Sequence, residues 1–443
     1  MRKLTFKNGI HPEESKVSTS ALPLETILPK AGLEMVYPLV QNTGAPCKPI
    51  VQIGDEVCLG QKIADSEAFV SSPVHSSVSG IVKGMRKALT PTGVIADAIV
   101  IENDGKNIKW DTLKSYNDYT LLSKEEIIKK IREAGVVGLG GAGFPTHVKL
   151  SPPPDKKIDT VIINASECEP YLTSDHRALL DETERVLEGI RVVLRIFPDA
   201  KALIAIEDNK PDAIEKLTHA TKNENSMEVK SLVTKYPQGS EKQLIYSCLK
   251  REVPSGGLPA DIGALVVNVD TLIAIERAVL RDRPLIRKIV TLDGGAVKNP
   301  GNYRVRIGMS YRDFLEAVGG LKSEPAKMIS GGPMMGVSMF SLDVPVIKVS
   351  SAFLCLTADE VKTYTERNCI RCGKCVSHCP MGLLPYTLNQ NVVHGEMDEF
   401  LKNNGMDCVE CGSCSYVCPS KRHIAQSIRS TRRHRLEQMR RGK

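Results

Sequence analysis

Apolar residues recur at helical spacing in one stretch of the chain and gather into short strands in others. Residues 123–135, SKEEIIKKIREAG, start with a capping serine and an acidic first turn and place their apolar residues on one face, which predicts a helix that ends at the glycine. Residues 159–164, DTVIIN, predict a buried strand. Residues 288–320 predict a strand, a turn at Asn-Pro-Gly, a second strand and an amphipathic helix from Ser310.

Residues 53–82 carry a different pattern, with G-D-x-V-x-x-G-Q followed by P-V-x-x-x-V-S-G-x-V. This segment resembles a biotinyl or lipoyl barrel-sandwich domain. The carrier lysine of such a domain would lie in the stretch DSEAF, residues 65–69, which contains no lysine. We therefore expect a structural or docking module rather than a swinging arm.

The composition is that of a soluble globular protein. The 443 residues are 42% hydrophobic and 25% charged, and a chain of this length should divide into about two to four domains. Residues 1–14 lack the apolar stretch of a signal peptide, and no window approaches the roughly eighteen apolar residues of a membrane span. We expect a cytoplasmic protein that reaches a membrane only through partners.

Basic residues are concentrated at the end of the sequence. Residues 421–443 contain nine Lys or Arg and one acid, Glu437. The net charge of this segment therefore exceeds the net charge of the whole chain, which is +7. This segment is interpreted equally well as a solvated helix or as a surface for anionic lipid or an acidic partner. Nucleic acid is not expected as a partner, because the basic segment lacks interleaved aromatic residues and the chain carries no nucleic-acid-binding motif.

Eight of the thirteen cysteines form a repeated pattern. Residues 369–380, CIRCGKCVSHCP, and 408–419, CVECGSCSYVCP, both have the spacing C-x-x-C-x-x-C-x-x-x-C-P. In two-cluster ferredoxins, the last cysteine of each run binds the cluster of the other run. We therefore assign one [4Fe–4S] cluster to Cys369, Cys372, Cys375 and Cys418, and the other to Cys408, Cys411, Cys414 and Cys379.

A pair of zinc knuckles is the alternative interpretation of these cysteines. Zinc needs four ligands at each site and does not explain the third cysteine and the C-P pair in both runs. Residues 381–407, between the runs, predict two short helices. We therefore expect a helical ferredoxin domain.

Residues 138–143 contain a literal G-x-G-x-x-G, the fingerprint of Rossmann dinucleotide sites. That fingerprint follows a strand and opens a helix, whereas here a predicted helix precedes it and a short proline-containing turn follows. We reject the Rossmann interpretation. The glycines still allow bare backbone N–H groups to approach a phosphate, and Lys149 would add positive charge.

An acidic loop, ASECEP, follows the predicted strand at residues 159–164. Folds of the α/β class place ligands beyond the carboxyl ends of buried strands. Glu167 and Glu169 are therefore interpreted as residues of a site, although two ordinary surface acids would give the same sequence.

Four segments resemble the flavin and NADH loops of the NADH-binding subunit of respiratory complex I: GLGGAGFPTHVKL (138–150), INASECEPY (163–171), YPQGSEKQL (236–244) and VVNVDT (266–271). The closer resemblance is to the RnfC family of the Rnf complexes, membrane-bound ferredoxin:NAD oxidoreductases that pump Na⁺ or H⁺. GIHP (9–12), residues 53–82, GGPMMG (331–336) and the doubled cysteine run all resemble that family. The resemblance covers nearly the whole chain.

The resemblance implies a set of cofactor-binding residues. Those implied for FMN are Gly138, Gly140, Gly141, Lys149, Asn164, Ser166, Glu167, Tyr236, Gly239, Asn268 and Thr271. Those implied for NADH are Phe144, Glu169 and Glu241. The chain departs from the complex I loops at four positions, where Leu139 replaces Arg, Ser166 replaces Asp, Cys168 replaces Ser and Val267 replaces Asn.

The resemblance also implies a multidomain α/β and α+β protein. Its parts would be a lipoyl-like barrel-sandwich hybrid domain (1–115), an FMN/NADH-binding α/β domain of the complex I type (116–285), a β-grasp (SLBB) domain (286–345), a helical two-cluster ferredoxin domain (346–428) and a basic tail (429–443).

The implied function is electron transfer between NAD(H), FMN and two [4Fe–4S] clusters by a peripheral subunit at the cytoplasmic face of the membrane. Nicotinamide exchanges two electrons as hydride and a cluster exchanges one, so a flavin between them is expected. The implied partners are the other Rnf subunits, NADH and, indirectly, ferredoxin. Two alternatives remain: a related soluble cobalamin reductase or amino-acid reductase donor, and a non-catalytic electron wire whose cleft has degenerated, as Leu139 and Val267 would allow.

Overall fold

The computed structural model describes residues 4–111, 113 and 116–441. The strands are β1 Leu24–Thr26, β2 Glu34–Pro38, β3 Lys48–Pro49, β4 Glu56–Val57, β5 Lys62–Asp65, β6 Val74–His75, β7 Gly80–Leu89, β8 Ile95–Asn103, β9 Thr160–Ala165, β10 Lys201–Glu207, β11 Met227–Leu232, β12 Ala264–Asn268, β13 Arg287–Asp293, β14 Gly301–Arg306, β15 Lys327–Ser330, β16 Val337–Met339 and β17 Ala352–Leu356. The helices are α1 Val17–Ser20, α2 Lys124–Glu133, α3 Thr146–Lys149, α4 Ser174–Asp181, α5 Thr183–Ile196, α6 Pro211–Ala220, α7 Glu241–Leu249, α8 Val269–Arg281, α9 Tyr311–Ala317, α10 Lys374–Ser377, α11 Pro385–Val393, α12 Met397–Lys402, α13 Ser413–Tyr416 and α14 Ile424–Arg441.

A parallel sheet in the order β11-β10-β9-β12 forms the centre of the predicted FMN/NADH-binding domain. The predicted strand at 159–164 is confirmed as β9, whose apolar side chains are buried, as expected for a parallel sheet between helices. The predicted helix at 123–135 is confirmed as α2. Its capping box is complete, because Ser123 Oγ accepts from the Glu126 amide at 3.2 Å and the Ser123 amide donates to the Glu126 carboxylate at 2.7 Å.

Two small antiparallel sheets form the barrel-sandwich, in the orders β2-β8-β7-β4 and β3-β5-β6. The stretch that would hold a carrier lysine follows β5, and it carries an exposed Phe69 instead.

The third unit is a mixed sheet in the order β1-β14-β13-β17-β15-β16. The predicted strand, turn, strand and helix are confirmed as β13, β14 and α9, with Ser310 Oγ accepting from the Asp313 amide at 3.0 Å. Two strands come from outside the predicted range of 286–345. Residues 24–26 pair in parallel with β14, and residues 352–356 lie between β13 and β15.

The C-terminal unit contains the two short helices predicted between the cysteine runs, which are confirmed as α11 and α12. Helix α14 runs through the predicted boundary at 428, and Arg429 and Arg432 on it pair with Glu410. The end of the basic tail, residues 442–443, lies outside the described residues. In the part of the chain that is described, no helix combines the length and apolar character needed to cross a membrane.

Candidate functional site

The carboxyl edge of the parallel sheet gathers most of the residues predicted for FMN. Asn164 and Asn268 end neighbouring strands and lie opposite each other in the register. The Asn164 side-chain amide donates to the Gly239 carbonyl at 2.8 Å. The Asn268 side-chain carbonyl accepts from the Asp270 amide at 3.0 Å and so caps α8. Parallel strands place their polar ends together at such an edge, where α/β folds bind ligands.

The glycine loop, residues 138–143, lies against the start of α8. The Leu139 amide donates to Thr271 Oγ1 at 2.9 Å. A Cβ on Gly140 would come within 2.8 Å of the Asn268 side-chain nitrogen, so this glycine is required by close packing. A Cβ on Gly141 would meet nothing within 4 Å. The loop therefore has one face packed on Asn268 and one open face of bare backbone, which fits a phosphate-bearing ligand.

Two polar residues that the sequence did not identify act here from outside the domain: Thr43 holds the loop itself and Lys348 holds Gly135, which precedes it. Thr43 Oγ1 donates to the Ala142 carbonyl at 2.6 Å, and the Thr43 amide donates to the Gly143 carbonyl at 3.0 Å. The Lys348 Nζ donates to the Pro73 and Gly135 carbonyls, both at 2.7 Å. Burial lowers the pKa of Lys348 to about 7. No local sequence signal marks either residue, since their partners are distant in the chain.

Ser166 carries a feature that fits a missing ligand. Its side-chain hydroxyl is buried and has no hydrogen-bond partner among the described residues. A Cβ on Gly239 would lie 3.3–3.4 Å from Cys168, Asn164 and Ser166, so these residues share one small space. The Gly239 amide donates to Cys168 Sγ at 3.3 Å, and burial raises the pKa of that thiol.

The Glu167 carboxylate accepts hydrogen bonds from the start of a neighbouring helix. Its carboxylate accepts from the Asp175 amide at 2.7 Å and from the His176 amide at 3.2 Å, at the N-terminus of α4. The Lys16 ammonium donates to the Glu167 carbonyl at 2.6 Å. Burial, with the charge of Glu167 next, raises the pKa of Asp175 to about 7. The structure thus places Glu167 as a support beneath the site, and its predicted contact with the flavin stays a prediction.

Lys149 and Glu241 form an ion pair with 2.6 Å between Nζ and the carboxylate. Lys149 is predicted for FMN and Glu241 for NADH, so the pair joins the two predicted sets. Both side chains are partly exposed, and a bound phosphate could compete with Glu241 for the ammonium. Phe144, also predicted for NADH, is 38% exposed in the same loop region.

Glu169 and Tyr236 connect this edge of the sheet to the cysteine loops. The Tyr236 hydroxyl is 2.7 Å from the Cys411 carbonyl, to which it donates, and 3.4 Å from the Glu169 carboxylate. The Glu169 carboxylate also accepts from the Met334 amide at 3.1 Å. Burial raises the pKa of Glu169 to about 7, so this acid holds a proton part of the time near neutral pH.

Four of the cysteines line one cavity together with apolar side chains: Cys379, Cys408, Cys411 and Cys414. This is the set predicted for the second cluster, with the fourth ligand contributed by the other run. Leu388 and Ile428 belong to the same apolar wall. Burial raises the pKa of the Cys408 thiol to about 11, so a metal must supply the positive charge that keeps it ionised.

Of the remaining four cysteines, Cys418 is as buried as Cys414, while Cys369, Cys372 and Cys375 are more exposed. Cys372 is exposed and Cys369 is half-buried, while Cys418 packs in the same apolar cluster as Cys375. Among the described residues, no three His, Cys, Asp or Glu side chains are close enough together to share a single metal ion. A [4Fe–4S] cubane does not require three side chains around one metal ion, because each thiolate binds a different iron atom of the cluster.

Four domain-family models match the chain. They are the Nuo51 FMN-binding domain over residues 131–277, the RnfC barrel sandwich hybrid domain over 4–106, the SLBB domain over 289–338 and the 4Fe-4S dicluster domain over 368–422. The multidomain architecture expected from the sequence is confirmed by these matches.

Curated relatives match almost end to end. The chain is 46% identical over 438 residues, 99% of its length and 98% of the relative's, to a subunit of the Na(+)-translocating ferredoxin:NAD(+) oxidoreductase complex of Acetobacterium woodii. It is 48% identical over 428 residues, 96% of its length and 93% of the relative's, to the corresponding subunit of the proton-translocating ferredoxin:NAD(+) oxidoreductase complex of Clostridium ljungdahlii. Among solved structures, a chain of an NAD⁺-reducing [NiFe]-hydrogenase in the H₂-reduced state superposes with a TM-score of 0.48 at 18% identity, covering 71% of this chain and 62% of that one.

Proposed function

The chain belongs to the RnfC family, and we propose on this premise that it carries electrons between NAD(H), FMN and two [4Fe–4S] clusters. It is a subunit of a multi-subunit, ion-translocating ferredoxin:NAD⁺ oxidoreductase complex. The soluble reductase and the non-catalytic wire are the less well supported interpretations, because relatives from such complexes match over nearly the whole chain.

The cofactors supply the redox chemistry and the chain positions them. FMN, when bound, exchanges hydride with a nicotinamide on one side and single electrons with iron–sulfur clusters on the other. The open backbone face of Gly141, the orphaned hydroxyl of Ser166 and the amide of Asn268 would hold FMN. Phe144, Glu169 and Glu241 would contact the nicotinamide nucleotide. Lys149 would exchange its partner Glu241 for a phosphate.

The hydrogen bond from Tyr236 to the Cys411 carbonyl is the observation that carries this proposal. It joins the wall of the predicted flavin site directly to a ligand loop of one cluster. The cavity of Cys379, Cys408, Cys411 and Cys414 would therefore adjoin the flavin, and three of the other four cysteines, Cys369, Cys372 and Cys375, are more exposed. Electrons from NADH would pass first to the cluster of Cys379, Cys408, Cys411 and Cys414, the inner cluster. They would leave through the other cluster, the outer cluster.

The position of the protein in the cell follows from its partners. We place it at the cytoplasmic face of the membrane, held by the membrane subunits of the complex, with NADH as its own substrate. Ferredoxin would exchange electrons with it indirectly, through other subunits.

An anaerobic NADH titration of the purified, cluster-containing chain with bound FMN tests the function. Bleaching of flavin absorbance followed by loss of the broad cluster absorbance is expected. In Cys411→Ala one cluster should be absent while NADH still reduces the flavin, and Cys372→Ala is the matched change at the outer cluster. A chain that binds FMN and both clusters yet shows no absorbance change with NADH would contradict the proposal.

A further inference from the structure

A second cleft lies beyond the residues assigned to the flavin, the nicotinamide and the clusters. It lies between α8 and the segment leading into β13 and is partly open to solvent. Arg277, Arg283 and Arg287 line it together with Asp270, and an apolar wall includes Ile273. One domain contributes α8 and the β-grasp sheet contributes β13, so the cleft lies where the two domains meet.

The acids nearest to this cleft are already committed to other cations. Asp270 pairs with the buried Lys288 at 2.5 Å. Glu182 pairs with Arg185 and Arg304, both at 2.5 Å, and with Arg287 at 3.6 Å.

Glu276, the other buried acid nearby, pairs with Arg281 at 2.7 Å. Within the described residues, the guanidinium groups of Arg277 and Arg283 have neither an ion pair nor a hydrogen bond. Positive charge therefore exceeds negative charge around the cleft, and no described residue balances it.

The excess positive charge and burial both affect the pKa values of the arginines in the cleft. Burial, followed by the charges of Arg287, Arg185 and Arg283, lowers the pKa of Arg277 to about 9 against the opposing charge of Glu182. Burial also lowers the pKa of Arg287 to about 10. Both groups stay protonated at neutral pH, so their mutual repulsion persists in the folded protein. An anion between them would relieve it.

We propose that this cleft binds a phosphate group, held by the guanidinium groups of Arg277 and Arg283 with Arg287 behind them. Guanidinium forks match the oxygens of a phosphate in pairs, and several converging arginines favour a dianion over a single carboxylate. The apolar wall would accept the carbon skeleton if the phosphate belongs to a monoester. The cofactors already assigned do not explain this site, because none of the residues that line it belongs to the sets assigned to FMN, NADH or the clusters.

Calorimetry on the full chain, with clusters intact and FMN saturating, tests the proposal. Saturation with FMN keeps its own phosphate-binding residues occupied. Inorganic phosphate and phenyl phosphate are titrated at constant ionic strength set with chloride, and tighter binding of phenyl phosphate would identify a monoester as the ligand. Saturable binding is expected, and Arg277→Gln should weaken it about 10- to 100-fold, the effect of losing a charge-assisted hydrogen bond.

Arg281→Gln is the matched control, because Arg281 is on the same helix but pairs with Glu276 and does not line the cleft. It should bind phosphate like the wild type. Without phosphate, Arg277→Gln should melt no lower than the wild type, since it removes an uncompensated charge. The proposal is overturned if phosphate acts only as chloride does at equal ionic strength, or if Arg277→Gln and Arg283→Gln both bind phosphate as tightly as the wild type.

Discussion

Two neighbouring glycines of the loop at 138–143 allow packing within the protein to be separated from contact with the cofactor. A methyl group on Gly140 would come within 2.8 Å of the Asn268 side-chain nitrogen and 2.9 Å of its Cγ, whereas one on Gly141 would meet nothing within 4 Å. Neither glycine has a left-handed backbone conformation. The substitutions Gly140→Ala and Gly141→Ala therefore differ in what the added methyl meets, not in backbone strain.

Gly140→Ala should destabilise the protein by about 1–3 kcal/mol. The methyl displaces Asn268, which caps α8 through the Asp270 amide and donates to the Asp175 carboxylate at 2.7 Å. Loss of an N-cap costs about 0.5–2 kcal/mol and overpacking about 1–3 kcal/mol. Gly141→Ala should leave the free energy of unfolding unchanged or raise it by up to about 1 kcal/mol, because alanine restricts the unfolded chain.

Gly141→Ala, which should not destabilise the fold, should weaken the binding of FMN. If FMN lies against the open face of Gly141, the methyl occupies space that the ligand needs, at a cost of about 1–3 kcal/mol. FMN binding, followed by quenching of flavin fluorescence, should then weaken about 5- to 150-fold in Gly141→Ala. A wild-type Kd for FMN in Gly141→Ala would refute the placement of the cofactor on this loop. An unchanged melting temperature in Gly140→Ala would refute the packing argument.

Three further changes test other contacts. Tyr236→Phe keeps the ring but leaves the Cys411 carbonyl without its donor, which should destabilise the inner cluster loop by about 1–3 kcal/mol and speed extraction of iron by a chelator; an unchanged rate would contradict this. The wild type should become more stable between about pH 7 and pH 10.5, because Lys348 is neutral above about pH 7 in the folded protein but stays protonated up to 10.5 in the unfolded chain. Lys348→Met should abolish this rise. The measurement is the difference in melting temperature between the variant and the wild type across that range. Thr43→Val should weaken FMN binding several-fold through the loss of one hydrogen bond to the Ala142 carbonyl, on the order of 1 kcal/mol, with Thr92→Val on the same domain as the control.

The parts of the fold that were predictable are those encoded by neighbouring residues. The capping box of Ser123 and Glu126, the buried run of β9 and the cap at Ser310 depend on contacts within a few positions. The cysteine runs were predictable for a related reason, since the spacing of the ligands reflects the shape of the cluster.

The contacts that escaped prediction join distant parts of the chain. Pairing of β1 with β14 places residues 24–26 beside residues 302–304, and no local pattern encodes such a partner. Glu167 makes a further contact that the sequence did not predict, because its carboxylate accepts from two amides at the N-terminus of α4. Its contact with the flavin stays a prediction.

The loop at 138–143 is fastened both by Thr43, near the beginning of the chain, and through Gly135 by Lys348, roughly three quarters of the way along it. During synthesis, the segment containing Lys348 emerges long after the loop itself. The predicted flavin site would thus be complete only when most of the polypeptide has left the ribosome and the front domain has docked. With FMN on this loop, uptake of the cofactor would be a late step of maturation, and a prematurely terminated chain would not hold the cofactor in place.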